Sequence, residues 1–235
     1  MKQICMQTLG GTMGQDIKLK AEDGHELGAY RADPAASARG GIVVLQEIFG
    51  VNAHIREVCD RFAEEGYATV APALYDRSSM RDCQLGYEPA DMEVGRKLRE
   101  EFSWDDTVKD VKAAVDVLGQ AGLKIGTVGY CWGGTISYLA ATRLPVNAAV
   151  VYYGGQIIPY LEEKENCPLL MHFGKQDQGI PLSDVDQIRS AHPEATVYLY
   201  DAGHGFSCDH RGSFHQPSAD LARERTLAFF ATHVG

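Results

Sequence analysis

The sequence predicts an α/β fold, in which helices cover both faces of a mostly parallel sheet that has an antiparallel start. Two observations carry this prediction. Apolar, β-branched runs without polar alternation recur along the chain, as in "GGIVVL" and "NAAVVYYGG", and such runs are typical of buried parallel strands. Segments with helical spacing of apolar residues lie between these runs, and strands that alternate with helices favour a parallel sheet.

The first predicted elements form a hairpin. "QDIKLKAEDGHELGAYRADP" contains two short alternating strands joined at Asp23-Gly24, a dipeptide typical of hairpin turns. A buried strand in "GGIVVLQEIFG" follows. The next helix is predicted to begin after Asn52, as its N-cap, and to end at Gly66. "YATVAPAL" is the next buried strand, closed by Pro72.

The remaining elements continue the alternation. An irregular excursion over Tyr75–Pro89 precedes a helical stretch that is predicted to break near Ser103. Strands are predicted in "LKIGTVGY", "NAAVVYYGG", "PLLMHFGK" and "ATVYLYD". Helices are predicted in "GTISYLAATRL", around Asp184–Ala191 and over Ser218–His233. No repeat or linker interrupts the pattern, so we expect one domain over residues 1–235.

The composition restricts the class of partner. The formal net charge of −10 argues against nucleic acid as the main partner, although a local basic pocket would still accept a small anion. The apolar runs are much shorter than the ~20 residues of a membrane span. No secretory leader is evident in the first 14 residues. We therefore expect a soluble cytoplasmic protein, a monomer or small homo-oligomer, with a small-molecule substrate.

The cysteine pattern favours free thiols. The six cysteines are Cys5, Cys59, Cys83, Cys131, Cys167 and Cys208. They form no CxxC pair, which argues against a zinc knuckle or a thioredoxin-like redox site. The chain is too long for a disulfide scaffold. We expect no disulfides, no metal and no cofactor.

Three residues with catalytic chemistry follow predicted strands. Cys131 comes after "LKIGTVGY", Asp177 after "PLLMHFG" and His204 after "ATVYLY". In open α/β sheets, sites form just beyond the carboxyl ends of the strands. The chain order of nucleophile, acid and histidine is that of α/β hydrolases. These residues are therefore the predicted catalytic triad.

The turn around Cys131 has the composition of a nucleophile elbow. Gly129 and Gly133 allow strand and helix to pass closely, and the strained turn exposes the thiol. The start of a helix favours thiolate. The backbone N–H of Trp132 is one predicted oxyanion donor, and that of Ile48, after another buried strand, is the second.

Four blocks, "QEIFGVNAHIREVCDRFAEEGY", "APALYDR", "VGYCWGG" and "AGHGF", closely resemble the dienelactone hydrolase (carboxymethylenebutenolidase) family. The resemblance extends from about Gln15 to the C-terminal helix. It implies an α/β-hydrolase fold and hydrolysis of an enol-lactone by Cys131, His204 and Asp177 through an acyl-enzyme. It also implies that Glu47 interacts with the resting thiol until substrate displaces it.

The predicted anion-binding residues depart from the family pattern. The family binds a substrate carboxylate partly through an arginine soon after the catalytic histidine, where this chain has Cys208. Arg211, three residues further on, would replace it if the loop folds back. Arg96 and Arg81 are further candidates in the region of the family's second substrate arginine.

Other functions remain open at this point. A general carboxylesterase or thioesterase would use the same fold and triad. A non-catalytic binding module would retain the fold without turnover. Glutamine amidotransferases also use G-x-C-x-G, but they pair the cysteine with a histidine that a glutamate follows two residues later, where this chain has Phe206.

Overall fold

The computed structural model of the chain describes residues 14–235. The predictions for Cys5 and for a leader sequence lie outside the described residues. Within this range no helix is long and apolar enough to cross a membrane.

Eight strands form one sheet, in the spatial order β1-β2-β4-β3-β5-β6-β7-β8. Their bounds are β1 Gln15–Lys20, β2 Glu26–Ala32, β3 Gly40–Leu45, β4 Tyr67–Pro72, β5 Ile125–Tyr130, β6 Ala148–Tyr152, β7 Leu169–Gly174 and β8 Thr196–Tyr200. Strands β1 and β2 are antiparallel to each other, and β2 is antiparallel to β4. All other neighbours are parallel. The predicted fold class is confirmed.

Six α-helices connect the strands in the described part of the chain. Their bounds are α1 Ala53–Glu64, α2 Pro89–Arg99, α3 Trp104–Gly119, α4 Trp132–Arg143, α5 Leu182–Ala191 and α6 Gln216–His233. Short 3-10 turns cover Leu74–Arg77 and Ile158–Tyr160. The excursion after β4 is therefore irregular for most of its length, as predicted.

Local sequence signals explain the helix boundaries. The Asn52 side chain accepts a hydrogen bond from the N–H of Ile55 at 3.3 Å and caps α1. Ser103 accepts from the N–H of Asp106 at 3.1 Å, which caps α3 and separates it from α2. The predicted break near Ser103 is confirmed. Helix α6 begins two residues before the predicted Ser218, because Pro217 is well suited to the first turn of a helix.

The centre of the sheet is enclosed on both faces. Every residue of β3, β4, β5, β6 and β7 is buried. Because these strands alternate with helices, each parallel strand must be apolar on both sides, as the continuous apolar runs predicted. The carboxyl ends of β3 and of β5 to β8 meet at one edge, where the candidate residues lie.

One buried histidine within the sheet makes the fold sensitive to acid. The Nδ1 atom of His172 lies 2.8 Å from the Tyr200 hydroxyl, and its Nε2 atom lies 3.1 Å from the Thr226 hydroxyl. Burial lowers the pKa of His172 from 6.5 to about 3. The unfolded chain therefore binds a proton at His172 between these two pH values, where the folded chain does not.

We predict that this histidine reduces stability as the pH falls from about 6.5 towards 3. The contribution of neutral His172 to the free energy of unfolding is fully present above pH 6.5. About 2 kcal/mol of this contribution is lost at pH 5. Urea unfolding at several pH values measures this slope. A His172→Asn variant should lose stability at pH 7 and show a shallower acid slope. Equal slopes in the two proteins would contradict the assignment.

Candidate active site

The turn between β5 and α4 holds Cys131 in a rare backbone conformation. Its φ is 55° and its ψ is −115°, in a region that side-chain-bearing residues seldom adopt. The Cys131 N–H donates to the Tyr152 carbonyl at 3.0 Å, and the Gly134 N–H donates to the Cys131 carbonyl at 3.0 Å. These two bonds fix the turn from both sides and expose the sulfur at the start of α4.

The glycines around Cys131 are required by backbone contacts. A Cβ atom at Gly129 would overlap the carbonyl group of Gly133, and one at Gly133 would overlap the Leu45 carbonyl. A Cβ at Gly134 would lie 2.5 Å from the Tyr152 carbonyl oxygen. Helix α4 therefore packs directly on the backbone of the sheet, as the elbow prediction requires.

Asp177 and His204 form a hydrogen-bonded pair at the same sheet edge. The Nδ1 atom of His204 lies 2.7 Å from Oδ2 of Asp177. The other oxygen, Oδ1, accepts from the Gly179 N–H at 2.8 Å, which fixes the carboxylate. The Asp177 side chain is fully buried, whereas 30% of the His204 side chain is exposed. This arrangement orients the imidazole and leaves its other nitrogen for the cavity.

The charge state of His204 reflects its neighbours. Burial lowers the pKa of His204, but the Cys131 sulfur and the Asp177 carboxylate outweigh burial and raise it to about 10. Cys131 and His204 line the same cavity. The structure brings all three predicted triad residues together.

A cavity of about 480 Å³ opens above the triad. Its lining includes the three triad residues and both predicted oxyanion residues, Ile48 and Trp132. The Trp132 ring stacks on Tyr75, with ring centroids 5.5 Å apart, and it is only 3% exposed. Trp132 therefore both packs in the core and walls the cavity. Another cavity of about 510 Å³ lies beside β1 and β2 and contains no triad residue.

Glu47 is paired with an arginine in this structure. Its Oε1 atom accepts a hydrogen bond from Nη1 of Arg211 at 2.9 Å, and its side chain is 1% exposed. Within residues 14–235, no hydrogen bond joins Glu47 to Cys131, and Glu47 Oε2 is buried without a partner. The Arg211 guanidinium therefore binds the Glu47 carboxylate. The family resemblance had implied that this carboxylate interacts with the resting thiol.

The predicted arginines have different positions. Arg211 and Arg96 line the cavity, so the loop after β8 folds back as expected for an anion site. Arg81 does not line it. The Arg81 side chain is 57% exposed, donates to the Glu26 carbonyl at 2.7 Å and lies 3.9 Å from Asp76, and these contacts hold it at β2.

Two further residues belong to this region and were not predicted. Arg99 lines the cavity and donates to the Gln156 side chain at 3.3 Å. Tyr153 follows β6 with a φ of 40°, and its ring centroid lies 5.0 Å from that of His204. Burial, followed by the Glu47 carboxylate, raises the Tyr153 pKa. The sequence signal that could have identified Tyr153 was its position directly after a predicted parallel strand.

The sheet order, the elbow and the strand-end triad define an α/β hydrolase. The dienelactone hydrolase family model matches residues 27–234. Carboxymethylenebutenolidases from Pseudomonas putida and Pseudomonas knackmussii are each 34% identical to this chain, over 92% of it and 96% of their own length. A Klebsiella pneumoniae structure assigned to the dienelactone hydrolases is 28% identical, covers 94% of this chain and 99% of its own, and superposes with a TM-score of 0.81.

The chain belongs to the dienelactone hydrolase family. It is a carboxylic ester hydrolase similar to the carboxymethylenebutenolidases, and it acts on small lactones or esters. This membership confirms the resemblance drawn from the four sequence blocks.

We predict that Gly129→Ala disrupts the elbow. The added methyl group would overlap backbone atoms of α4, so we expect a loss of about 3 kcal/mol or more in the free energy of unfolding. Gly119→Ala is the matched control, because a Cβ there would meet no atom within 4 Å. Urea unfolding of both variants measures the difference. Similar midpoints for the two variants would show that the close contact does not constrain the turn.

Proposed function

We propose that this chain hydrolyses an enol-lactone, or a related ester, through an acyl-enzyme on Cys131. One observation supports the proposal: Cys131, in its strained turn, lines the same cavity as the His204–Asp177 pair, which is joined at 2.7 Å. A positively charged imidazole beside sulfur favours the thiolate, which is the nucleophilic form.

The first half-reaction is attack of the thiolate on the lactone carbonyl carbon. The carbonyl oxygen gains negative charge, and the N–H groups of Ile48 and Trp132, two residues that line the cavity, are the proposed donors to it. The first N–H groups of α4 have no acceptor within the helix, so that of Trp132 is suited to this role. The C–O bond of the lactone then breaks, which leaves a thioester on Cys131 and an enolate on the acyl chain.

The second half-reaction is hydrolysis of the thioester. A water molecule attacks the carbonyl carbon, and its proton passes to the enolate, or to His204 once the imidazolium has given its own proton to the enolate. The C–S bond breaks, the product leaves as a carboxylic acid, and Cys131 is regenerated. Sulfur suits this sequence because thiolate needs little help from a base, and the enolate is a good leaving group. An acyl-enzyme formed from an ordinary ester carries no enolate to act as a base, so its thioester should hydrolyse slowly.

The cavity is suited to an anionic substrate even though the formal net charge of the chain is −10. Three arginines line it, at positions 96, 99 and 211. Arg211 is occupied by Glu47, whose buried carboxylate neutralises it. A substrate carboxylate that binds Arg211 must therefore displace Glu47. We propose that this exchange links substrate binding to the movement of Glu47 near the thiol.

Replacement of the nucleophile tests the chemical assignment. We expect Cys131→Ala to lower kcat/KM for dienelactone and for p-nitrophenyl acetate by at least about 10³-fold. Wild-type protein mixed with p-nitrophenyl acetate should release about one equivalent of p-nitrophenol in a burst and gain one acetyl group by mass. Cys167→Ala is the matched control, because Cys167 is a free thiol that does not line the cavity.

Three results would contradict the proposal in different ways. Unchanged turnover in Cys131→Ala would exclude Cys131 as the nucleophile. Absence of turnover by the wild type on lactones, esters and thioesters would favour a binding module. A preference for simple esters or thioesters over dienelactone would identify a general esterase of the same fold.

Neutralising Glu47 tests the exchange at Arg211. We expect Glu47→Gln to lower KM for an anionic lactone by about tenfold, because the competing charge is gone, and to leave KM for a neutral ester unchanged. The rate of Cys131 alkylation by iodoacetamide should also change. Identical alkylation in the two proteins would remove the proposed role of Glu47 at the thiol.

A paired variant tests the arginine without unfolding the protein. Loss of Arg211 alone would leave a buried carboxylate unpaired, which costs about 3–5 kcal/mol. The double variant Glu47→Gln/Arg211→Gln avoids this penalty. Compared with Glu47→Gln alone, we expect it to raise KM for anionic lactones more than for neutral esters. Equal effects on both substrates would deny Arg211 an anion-binding role.

A further inference from the structure

A second cluster of chemically active side chains lies beside the Glu47–Arg211 pair. A carboxylate oxygen of Glu47, a ring nitrogen of His54 and the sulfur of Cys208 all lie within 4.8 Å of one another. The three residues come from different parts of the fold: Glu47 follows β3, His54 is in the first turn of α1, and Cys208 is in the loop between β8 and α6. Their exposed fractions are 1%, 1% and 0%.

Two polar atoms in this cluster have no partner. Oε2 of Glu47 and Nε2 of His54 are buried and make no hydrogen bond. The Nδ1 atom of His54 lies 3.2 Å from the Asp209 carboxylate. Glu47 Oε2 is thus a buried acceptor without a donor, and His54 Nε2 is a buried ring nitrogen without a hydrogen-bond partner. A buried acceptor without a donor costs about 1–3 kcal/mol, and more when it is charged.

Each member of the cluster has an outer polar neighbour. Asp209 orients His54, and Arg61 donates to the second oxygen of Asp209 at 2.7 Å. Arg211 orients Glu47. Metal-binding histidines commonly donate their second nitrogen to a carboxylate, and metal-binding carboxylates are themselves hydrogen-bonded.

The Cys208 sulfur also has a polar neighbour outside the cluster, the Tyr87 hydroxyl. Burial, followed by the Glu47 carboxylate, raises the pKa of the Cys208 thiol to about 12, and a hydrogen bond with the Tyr87 hydroxyl opposes this shift. The Tyr87 hydroxyl in turn accepts from the Asn52 side chain at 3.0 Å. All three potential ligands are thus held by a polar group outside the cluster.

We propose that Glu47, His54 and Cys208 bind one divalent transition-metal ion of the zinc class. Carboxylate, imidazole and thiolate together are the ligands of Zn²⁺ and similar ions, whereas Mg²⁺ and Ca²⁺ prefer oxygen alone. The ion supplies the partner that neither Glu47 Oε2 nor His54 Nε2 has among the protein groups. On binding, the Cys208 thiol loses one proton to solvent and its sulfur joins the metal.

A separate cavity reaches Asp209, the partner of His54, and none of the three proposed ligands lines it. This cavity of about 370 Å³ is lined by Asp209, Arg61 and Tyr130, and the Tyr130 and His54 ring centroids are 6.3 Å apart. This cavity is distinct from the one above the triad, since none of its lining residues is Cys131, Asp177 or His204. The inferred site shares Glu47 with the Arg211 pair, and none of its three ligands is Cys131, Asp177 or His204. It differs from the sequence-based expectation of no metal.

Cobalt substitution in the full chain tests this inference. The Cys131→Ala variant is used, so that the nucleophile cannot supply a thiolate. We expect about one Co²⁺ per chain, with a thiolate-to-cobalt charge-transfer band in the near ultraviolet. Cys208→Ser, which keeps the shape of the side chain, should abolish the band and weaken binding by at least about tenfold, the loss typical when a contributor to a metal site is changed.

Two other cysteine variants serve as controls for Cys208→Ser. Cys83→Ser and Cys167→Ser, in the same background, should keep both the stoichiometry and the band, since neither cysteine is in the cluster. Binding below about 0.1 Co²⁺ per chain, in both the wild type and Cys131→Ala, would overturn the inference. It would indicate a buried water beside Glu47 Oε2 and His54 Nε2. A band that survives Cys208→Ser would also overturn it. Binding without a band would place the ion on His54, Asp209 and His210, the neighbouring group at the surface, and reject the proposed site.

Discussion

The direct contact between the backbones of β5 and α4 is the constraint on which the rest of the site depends. Because Gly129, Gly133 and Gly134 have no side chains, the helix starts against the sheet and forces Cys131 to a φ of 55°. This conformation is unfavourable for an isolated residue, and the surrounding backbone hydrogen bonds compensate for it. The same contact directs the sulfur towards the edge where Asp177 and His204 meet, and it places the N–H of Trp132 at the free end of a helix.

A second constraint is electrostatic, and it acts through Glu47. A buried carboxylate is costly unless a positive group accompanies it, and Arg211 provides that group at 2.9 Å. The pair neutralises one of the three arginines of the cavity while the protein as a whole remains acidic. Arg96 and Arg99 stay on the wall of the cavity, where a substrate anion would meet them first. In the proposed function, the position of Glu47 therefore affects both the thiol and the anion-binding surface.

Much of the fold was predictable because its signals are local. Continuous apolar runs identified the buried parallel strands, Asp23-Gly24 identified the hairpin, and Ser103 identified the break between α2 and α3. The elbow and the order of the three catalytic candidates were also visible, since strand ends meet at one edge in this class of sheet. Arg81 illustrates the limit of such reasoning, because contacts with Asp76 and the Glu26 carbonyl keep it away from the cavity.

The sequence by itself determined the class of fold, the position of the strained turn and the residues that follow each strand, because these depend on short-range spacing and glycine placement. The tertiary structure alone decided the partner of Glu47, the entry of Arg99 and Tyr153 into the site region, and the meeting of Glu47, His54 and Cys208. These contacts join loops that are far apart in the chain. Their formation depends on how the sheet edge brings the loops together and on which side-chain orientation each buried charge requires, and local spacing specifies neither.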